Sequence, residues 1–222
     1  MQEIGAFVAE IVSTRGALSA GAGTTVLLAA GGLSIGLVLG TALAVVGVWG
    51  PPAARMMVAG YVFVLRGVPL LVTMLFIFFG LARIWKTLPA DLAAIVAMGL
   101  FSGAYVAEAM RGAFQSITPA QIDAARAIGL PFLSRLRHVV LPLALRRAVP
   151  SLTNIAVDMV KATTLVAALG VSDLLQTGQQ IAMRSLLIPE FYFGLWLAYV
   201  AVNLGVTAIG RWCESRIGHV TF

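Results

Sequence analysis

The stretch ITPAQIDAARAIGLPFLSRLRHVVLPLALRRAVP, residues 117–150, is a basic segment with strong helix signals inside an otherwise apolar chain. Thr118, followed by Pro119 and then Gln121, predicts a helix start with Thr118 as its N-cap. Gly129, with a proline two residues further on, predicts the helix end. A helix of about ten residues is too short to be stable alone, so we expect it to pack against neighbouring elements.

A second helix is expected to begin at Pro131 and to end before Pro142, so that a glycine turn joins two short helices. The arginines of this stretch could serve only to fix the orientation of the chain in a membrane. Orientation requires charge, but it requires neither a capped helix nor a glycine turn. We therefore favour a docking element for a soluble partner over a merely solvated loop.

The rest of the chain has the composition of a membrane protein. Of its 222 residues, 60% are hydrophobic and only 11% are charged, whereas a soluble domain has about 25% charged residues. A bilayer core of about 30 Å requires about 20 helical residues to cross. We predict five spans, at residues 21–48, 56–81, 92–107, 148–171 and 191–210.

The distribution of arginine and lysine predicts the orientation. With the amino terminus outside, most basic residues between the spans fall on the cytoplasmic side, as the positive-inside rule requires. The formal net charge of +6 thus follows the topology, and we expect no nucleic-acid partner. Apolar Ile4, Phe7, Val8 and Ile11 recur at helical spacing, which predicts a retained, short N-terminal helix, about residues 1–15, on the outer membrane interface.

Three charged residues fall inside the predicted spans, where a charge costs about 2.5–3.5 kcal/mol at the helix centre. Asp158 and Lys161 can pair because they are three residues apart on one helix. We expect them and Arg66 to face the protein interior or a water-filled cavity. Asp158 could bind a cationic group of a substrate, or the pair could be purely structural. The residues that could complete a polar substrate site on the same helix are Asn154, Thr163 and Thr164.

Gly67 and Pro69 interrupt the second predicted span beside Arg66. Proline removes a backbone hydrogen bond and glycine allows the helix to bend, a combination found where transporters hinge or bind substrate. We predict a hinge or gate at Gly67 and Pro69, with Arg66 on a substrate pathway. The alternative is that Arg66 extends toward the cytoplasmic side with its charge in water.

The sequence DAARAIGLPFLSRLRHVVLP resembles the EAA signature of binding-protein-dependent ABC importer permeases, with Asp for Glu and Val for Ile. LRGVPLLVTMLFIFFGL, AYVAEAMRGAFQSI and KATTLVAALGVSDLL extend the resemblance to the polar amino acid branch, which includes histidine, arginine, ornithine and octopine permease subunits. The resemblance implies one transmembrane permease domain over residues 1–222. Its implied fold is that of type I ABC importers, an all-α membrane protein with about five transmembrane helices and a cytoplasmic coupling helix.

In that family the signature forms a coupling helix that sits on an ATP-hydrolysing subunit. The resemblance therefore implies a cytoplasmic coupling loop at about residues 112–147, which transmits movements of the ATPase to the spans. The implied coupling residues are Asp123, Ala124, Ala125, Gly129, Leu141 and Pro142. Gly129 is expected to resist substitution, because a side chain would penalise a left-handed turn and obstruct close approach.

The chain has no Gly-x-x-x-x-Gly-Lys-Ser/Thr phosphate loop, so it cannot hydrolyse ATP by that route. We expect a non-catalytic subunit with no metal and no cofactor of its own. The resemblance implies an ABC ATPase dimer that binds ATP and Mg, and a second permease subunit, identical or similar. It also implies a periplasmic substrate-binding protein, for which the loops at residues 83–91 and 176–190 are available.

The implied function is ATP-driven import of polar, basic amino acids across the bacterial inner membrane by alternating access, with a periplasmic amino terminus and a cytoplasmic carboxyl terminus. Glutamine, glutamate, cystine or an opine are alternative cargoes for the same machinery. A passive channel is the alternative from another class, although it would not need a coupling helix. An integral membrane enzyme is disfavoured, because Cys213, His138 and His219 are isolated and form no nucleophile-base pair or metal cluster in the sequence.

Overall fold

The computed structural model describes residues 2–80, 83 and 88–217, and every regular element in those ranges is helical. By length and composition, four helices can cross a membrane, or five if one bent pair counts as a span. This confirms the predicted all-α architecture with about five spans. The helices are α1 (Gln2–Trp49), α2 (Pro52–Gly67), α3 (Leu70–Leu75), α4 (Ala90–Gln115), α5 (Pro119–Ala127), α6 (Phe132–Arg135), α7 (Leu141–Ala162), α8 (Leu174–Ser185) and α9 (Ile188–Ile217).

Helix α1 is continuous over 48 residues, so the expected short helix at residues 1–15 is not a separate element. At 1.5 Å per residue α1 is about 72 Å long, more than twice the hydrocarbon thickness. Its first turns cover protein, because Phe7 and Ile11 pack against a buried cluster that includes Ile181 and Phe191. The rings of Phe7 and Phe191 meet nearly edge to face, with their centroids 5.3 Å apart. This contact explains why the apolar spacing continues beyond the predicted span.

Helix α4 lies directly against α1, because small residues let the two backbones approach closely. A Cβ added to Gly32 would lie 2.6 Å from Met98 Cβ, and one added to Gly40 would lie 2.6 Å from the carbonyl oxygen of Gly103. The hydroxyl of Ser102 donates a hydrogen bond to the carbonyl oxygen of Gly32 at 3.1 Å. This pair of helices forms the centre of the bundle.

The predicted second span is broken into α2 and α3, followed by a π-helical segment, Phe76–Gly80, and the chain bends by 106° at the break. Val68 and Pro69 are extended there, with ψ of 132° and 137°. Proline has no N–H and forces the residue before it away from helical geometry, so the break lies where the sequence predicts it. The expected end of this span, Leu81, lies outside the described residues.

The second helix of the basic segment does not end before Pro142, as expected from the sequence. Instead α6 continues through a π-helical segment, Leu136–Val140, into α7, which contains both Pro142 and Pro150. The wider π turn displaces the carbonyl that a proline ring would otherwise strike. Beyond α7 the chain tightens into a 3₁₀ segment, Thr163–Leu169, which ends at Gly170 with φ of 79°.

Helix α8 occupies most of the segment expected to be an outer loop at residues 176–190. Asp173 is its N-cap and accepts a hydrogen bond from the Gln176 N–H at 2.9 Å. One face of α8 packs against α1 and α9, so the segment is an ordered part of the bundle. Of the other expected outer loop, residues 83–91, the described part is 83 and 88–91.

Candidate functional site

Helix α5 is the centre of the basic loop, which we define as residues 112–147. At its start the Thr118 N–H donates to Gln121 Oε1 at 3.4 Å, as the cap prediction requires. At its end the Gly129 N–H donates to the Arg126 carbonyl at 2.9 Å and the Leu130 N–H donates to the Ala125 carbonyl at 3.3 Å. These two bonds form a Schellman motif, and Gly129 has a φ of 77°. Both ends of α5 are therefore fixed within the chain.

The residues expected to contact an ATPase do not all face outward. Asp123, Ala124 and Gly129 are exposed, and Asp123 pairs with Arg126 at 3.1 Å. Ala125 is only 5% exposed, so it packs α5 onto the rest of the chain and is not available for docking. Leu141 is half-buried and packs against the core, whereas Pro142 is exposed. The sequence analysis missed two exposed apolar side chains beside Gly129, those of Ile128 and Leu133.

Two contacts join the basic loop to the bundle. The guanidinium of Arg147 donates a hydrogen bond to the main-chain oxygen of Ser116, at the end of α4. Trp49, the last residue of α1, has its ring centroid 5.1 Å from that of Phe114 and 5.9 Å from that of Phe132. The loop is thus held by α1 as well as by the two spans that flank it in sequence.

A cavity of about 610 Å³ lies between α1, α2 and α4. Helix α2, described over its whole length, buries none of its residues and leaves a groove along one face. Glu108 and Arg111 form a two-pronged ion pair at this cavity, with Arg111 Nε 3.0 Å from Glu108 Oε2. Arg55 and Arg66 also line it, and the Arg66 guanidinium lies 5.2 Å from the centroid of the Tyr105 ring.

Of the other predicted substrate residues, Asn154, Asp158 and Lys161 lie on α7, whereas Thr163 and Thr164 lie in the 3₁₀ segment that follows it. Asn154, Asp158 and Lys161 are exposed on one face, and Lys161 Nζ is 3.1 Å from Asp158 Oδ1. The side chains of Asp158 and Lys161 are 66% and 61% exposed, so they do not face the interior of this chain, which was one of the two expected positions. The other, a water-filled cavity, stays a prediction. Thr163 is fully buried and donates to the Val160 carbonyl at 2.8 Å, which excludes it from that face.

A buried polar cluster lies behind the 3₁₀ segment and was not identified from the sequence. Tyr199 donates its hydroxyl hydrogen to Asp173 Oδ2 at 3.1 Å, and the Leu174 N–H donates to Thr25 Oγ1 at 3.1 Å. Asp173 and Thr25 are almost completely buried. Burial raises the pKa of the Asp173 carboxyl, whereas the hydrogen bonds from Gln176 and Tyr199 act in the opposite direction. The Asp-x-x-Gln spacing that begins at Asp173 is a helix-start signal that could have identified this cap.

Groups of three or more metal-ligating side chains are not found among the described residues. His219 lies outside those residues. The site therefore consists of a rigid basic loop, a charged cavity beside α2 and a polar face on α7.

These features define an integral membrane transport subunit. The family described as binding-protein-dependent transport system inner membrane component matches residues 32–219, and the chain belongs to this family. It is 33% identical over 198 residues to the probable amino-acid ABC transporter permease protein PatM of Vibrio harveyi, with 88% of this chain and 89% of the relative covered. It is 36% identical over 195 residues to the glutamine transport system permease protein GlnP of Escherichia coli K12, with 87% of each covered.

Solved structures agree with this assignment. A crystal structure described as an amino acid ABC transporter with histidines matches with a TM-score of 0.83 and 28% identity, covering 95% of this chain and 98% of its own. An inward-facing structure of the MetNI methionine ABC transporter matches with a TM-score of 0.81 over 92% of this chain and 98% of its own. At 20% identity the second match shows the fold alone.

Proposed function

We propose that this chain is the transmembrane subunit of an ATP-driven importer of polar amino acids in the bacterial inner membrane. The observation that carries the proposal is α5, a helix capped at both ends and fastened to the bundle at the base of the basic loop. A rigid element of this kind can transmit a rigid-body movement of the ATPase to the spans, whereas a flexible loop would absorb that movement. The exposed face around Asp123 and Gly129 is where we expect the ATPase to dock.

The proposed assembly contains two such permease subunits, identical or similar, an ABC ATPase dimer that binds ATP and Mg, and a periplasmic substrate-binding protein. The amino terminus lies in the periplasm and the carboxyl terminus in the cytoplasm, because this orientation puts the basic loop beside the ATPase. Alternating access then exposes the pathway to one side at a time, with the helix break at Gly67 and Pro69 as the hinge.

Neutral polar amino acids such as glutamine are the first candidate cargo. Relatives described as glutamine permeases support this choice, and Lys161 already neutralises Asp158 on the exposed face of α7. Basic amino acids are the second candidate, which Asp158 favours if cargo displaces Lys161 from it. Asn154 on α7 and Thr164 in the 3₁₀ segment that follows flank the pair in sequence and offer amide and hydroxyl groups to either cargo.

The test is uptake of labelled glutamine and arginine into proteoliposomes that contain this chain with its permease partner, ATPase and binding protein. We expect uptake that requires ATP and prefers polar amino acids, and competition between the two labels identifies the cargo. Downhill flux through this chain alone, indifferent to ATP, would instead identify a passive channel and would contradict the proposal.

A further inference from the structure

Arg66 lies in the cavity between α1, α2 and α4 without an acidic partner. A guanidinium has five N–H donors, and among the described residues no carboxylate oxygen lies within 4.0 Å of those of Arg66. The nearby carboxylate of Glu108 has both of its oxygens occupied by Arg111. The donors of Arg66 are therefore free to bind an anion that enters the cavity.

Tyr105 fixes the position of this guanidinium. The Arg66 Cζ lies 5.2 Å from the centroid of the Tyr105 ring, within the range of a cation–π contact. Contact with the ring face leaves the N–H groups at the guanidinium edge available, and that edge matches a carboxylate with two parallel hydrogen bonds. The cavity thus presents a guanidinium that is already oriented to form two parallel hydrogen bonds with a carboxylate.

The depth of Arg66 in the membrane decides which anion can reach it. Helix α2 begins at Pro52, so Arg66 is about 21 Å further along the helix axis. The hydrocarbon core is about 30 Å thick, and lipid phosphates lie at its surfaces. A phosphate at the membrane surface where α2 begins is therefore too far away. The opposite surface is only about 9 Å beyond Arg66, but the cavity extends from Arg66 back toward Arg55, near the start of α2, so the geometry favours a small solute inside the cavity as the carrier of the anion.

We infer that Arg66 binds the α-carboxylate of the transported amino acid in this cavity. The inference rests on the proposed function, because it takes the cargo to be an amino acid. The volume of about 610 Å³ lies in the range of ligand pockets, about 300–1,000 Å³. Val58, Val62 and Phe63 supply apolar walls, while Arg55 keeps the cavity positive along its length. Because every amino acid carries this carboxylate, the site recognises the class and leaves the side chain to other residues.

The test uses the detergent-purified complex of permease and ATPase without the binding protein, whose own selectivity would interfere. Binding of labelled glutamine and arginine is competed with the unlabelled amino acid and with its α-amide, which lacks the carboxylate. The wild-type complex should prefer the amino acid by about tenfold or more, as expected for a charge-assisted hydrogen bond. Arg66→Gln should reduce this preference nearly to one. Arg15→Gln, an exposed change of the same charge outside the cavity, should preserve it.

The preference ratio distinguishes recognition from a structural role, because a structural role would weaken both competitors equally and would overturn the inference. If the Arg66→Gln complex does not assemble, Arg66→Lys keeps the charge without the guanidinium and should lower the ratio severalfold. An unchanged ratio in the lysine variant would overturn the inference as well. If the full assembly imports with ATP in proteoliposomes but the detergent-purified wild-type complex binds both competitors equally, the inference is overturned and the proposed function stands. Absence of ATP-dependent uptake by the full assembly in proteoliposomes contradicts the proposed function itself.

Discussion

The Arg147 guanidinium donates a hydrogen bond to the main-chain oxygen of Ser116, 31 positions earlier in the chain. Ser116 is the C-cap of α4, whose last carbonyls have no partner within the helix. A cationic side chain is well suited to this position, because it satisfies the oxygen and interacts favourably with the helix dipole. The contact closes the base of the basic loop and couples α5 to both α4 and α7.

Arg147→Ala should therefore loosen the coupling between ATP hydrolysis and transport. We expect a local loss of about 1 kcal/mol, the typical contribution of one hydrogen bond, and a severalfold lower uptake per ATP hydrolysed in proteoliposomes. Arg146→Ala removes the same charge at the adjacent position and serves as the control. Equal ratios of uptake to hydrolysis in the two variants would mean that the Arg147 contact does not matter for coupling.

Substitutions at Gly129 can distinguish backbone strain from contact with a partner, because an added Cβ would meet no atom of the described residues of this chain. Its φ is 77°, and an added Cβ would meet nothing within 4 Å. Gly129→Ala should cost about 1–2 kcal/mol through the left-handed backbone alone, whereas asparagine tolerates this region better. Gly129→Asp should in addition weaken ATPase binding, because it places a second acid near Asp123 on the docking face.

Co-purification of the ATPase and uptake are measured for the three Gly129 variants. If Gly129→Asn behaves like the wild type while Gly129→Ala does not, the requirement is conformational. If asparagine fails as badly as alanine, the ATPase approaches this position closely. Normal uptake with normal co-purification in Gly129→Asp would contradict the docking role of this surface.

Gly40→Ala should destabilise the contact between α1 and α4. The new Cβ would lie 2.6 Å from the Gly103 carbonyl oxygen and 2.8 Å from the Ala107 nitrogen, and rigid backbone cannot move aside cheaply. Overpacking of this kind costs about 1–3 kcal/mol. Gly23→Ala, on the same helix with nothing within 4 Å, is the matched control. Thermal unfolding of the purified complex should show a lower midpoint for Gly40→Ala only, and equal midpoints would refute this packing account.

The local signals in the sequence predicted the local structure well. The caps of α5 and the break at Gly67 and Pro69 depend on a few neighbouring residues, so Thr118 and Gly129 could be assigned without tertiary information. The five apolar segments were equally clear, because membrane spans are defined by length and composition. What these signals do not contain is how one helix continues into the next.

Three features of the candidate site depend on that missing information. Pro142 does not end a helix, because a π turn absorbs it. Thr163 is buried whereas Asp158 is exposed, because the packing of neighbouring helices decides which face is covered. Asp173 is joined to Tyr199 from a distant helix, and a contact of this kind has no signature in a single sequence.

Asp173 should tolerate asparagine far better than alanine. In Asp173→Asn the amide oxygen can still accept from the Gln176 N–H, and its NH₂ group can donate to the Tyr199 oxygen. Asp173→Ala removes the N-cap and leaves a buried hydroxyl without its partner, a loss of about 2 kcal/mol or more. The midpoint of thermal unfolding measures both. Equal losses in the two variants would mean that the charge itself, and not the hydrogen bonds, stabilises this cluster.

The pH dependence of Asp173 has a defined sign. Burial raises its pKa above the ordinary value of 3.8, so the folded state binds this proton more tightly than the unfolded chain. Its contribution to the free energy of unfolding is therefore greatest below pH 3.8 and decreases as the pH rises through the raised pKa. Asp173→Asn should remove this component, so the difference in unfolding midpoint between variant and wild type should shift in favour of the variant as the pH rises. A difference that does not change with pH would contradict the raised pKa.

Asp158 and Lys161 form an ion pair. Removing one of the two charges should reduce assembly of the complex more than removing both. Asp158→Asn leaves Lys161 without a counter-ion inside the predicted span, where an unpaired charge costs about 2.5–3.5 kcal/mol at the membrane centre. The double variant Asp158→Asn with Lys161→Gln removes both charges. We therefore expect the single variant to assemble less well than the double variant, as measured by the yield of intact complex.

Competition in the uptake assay then separates pairing from cargo recognition. If Asp158 contacts basic cargo, unlabelled arginine should compete severalfold less well in the double variant, while competition by glutamine changes little. If the pair only stabilises α7, the double variant should show the wild-type order of competitors, because no cargo contact has been lost. The second result would restrict cargo selection by this chain to groups outside the pair, and it would remove the observation that favours basic amino acids.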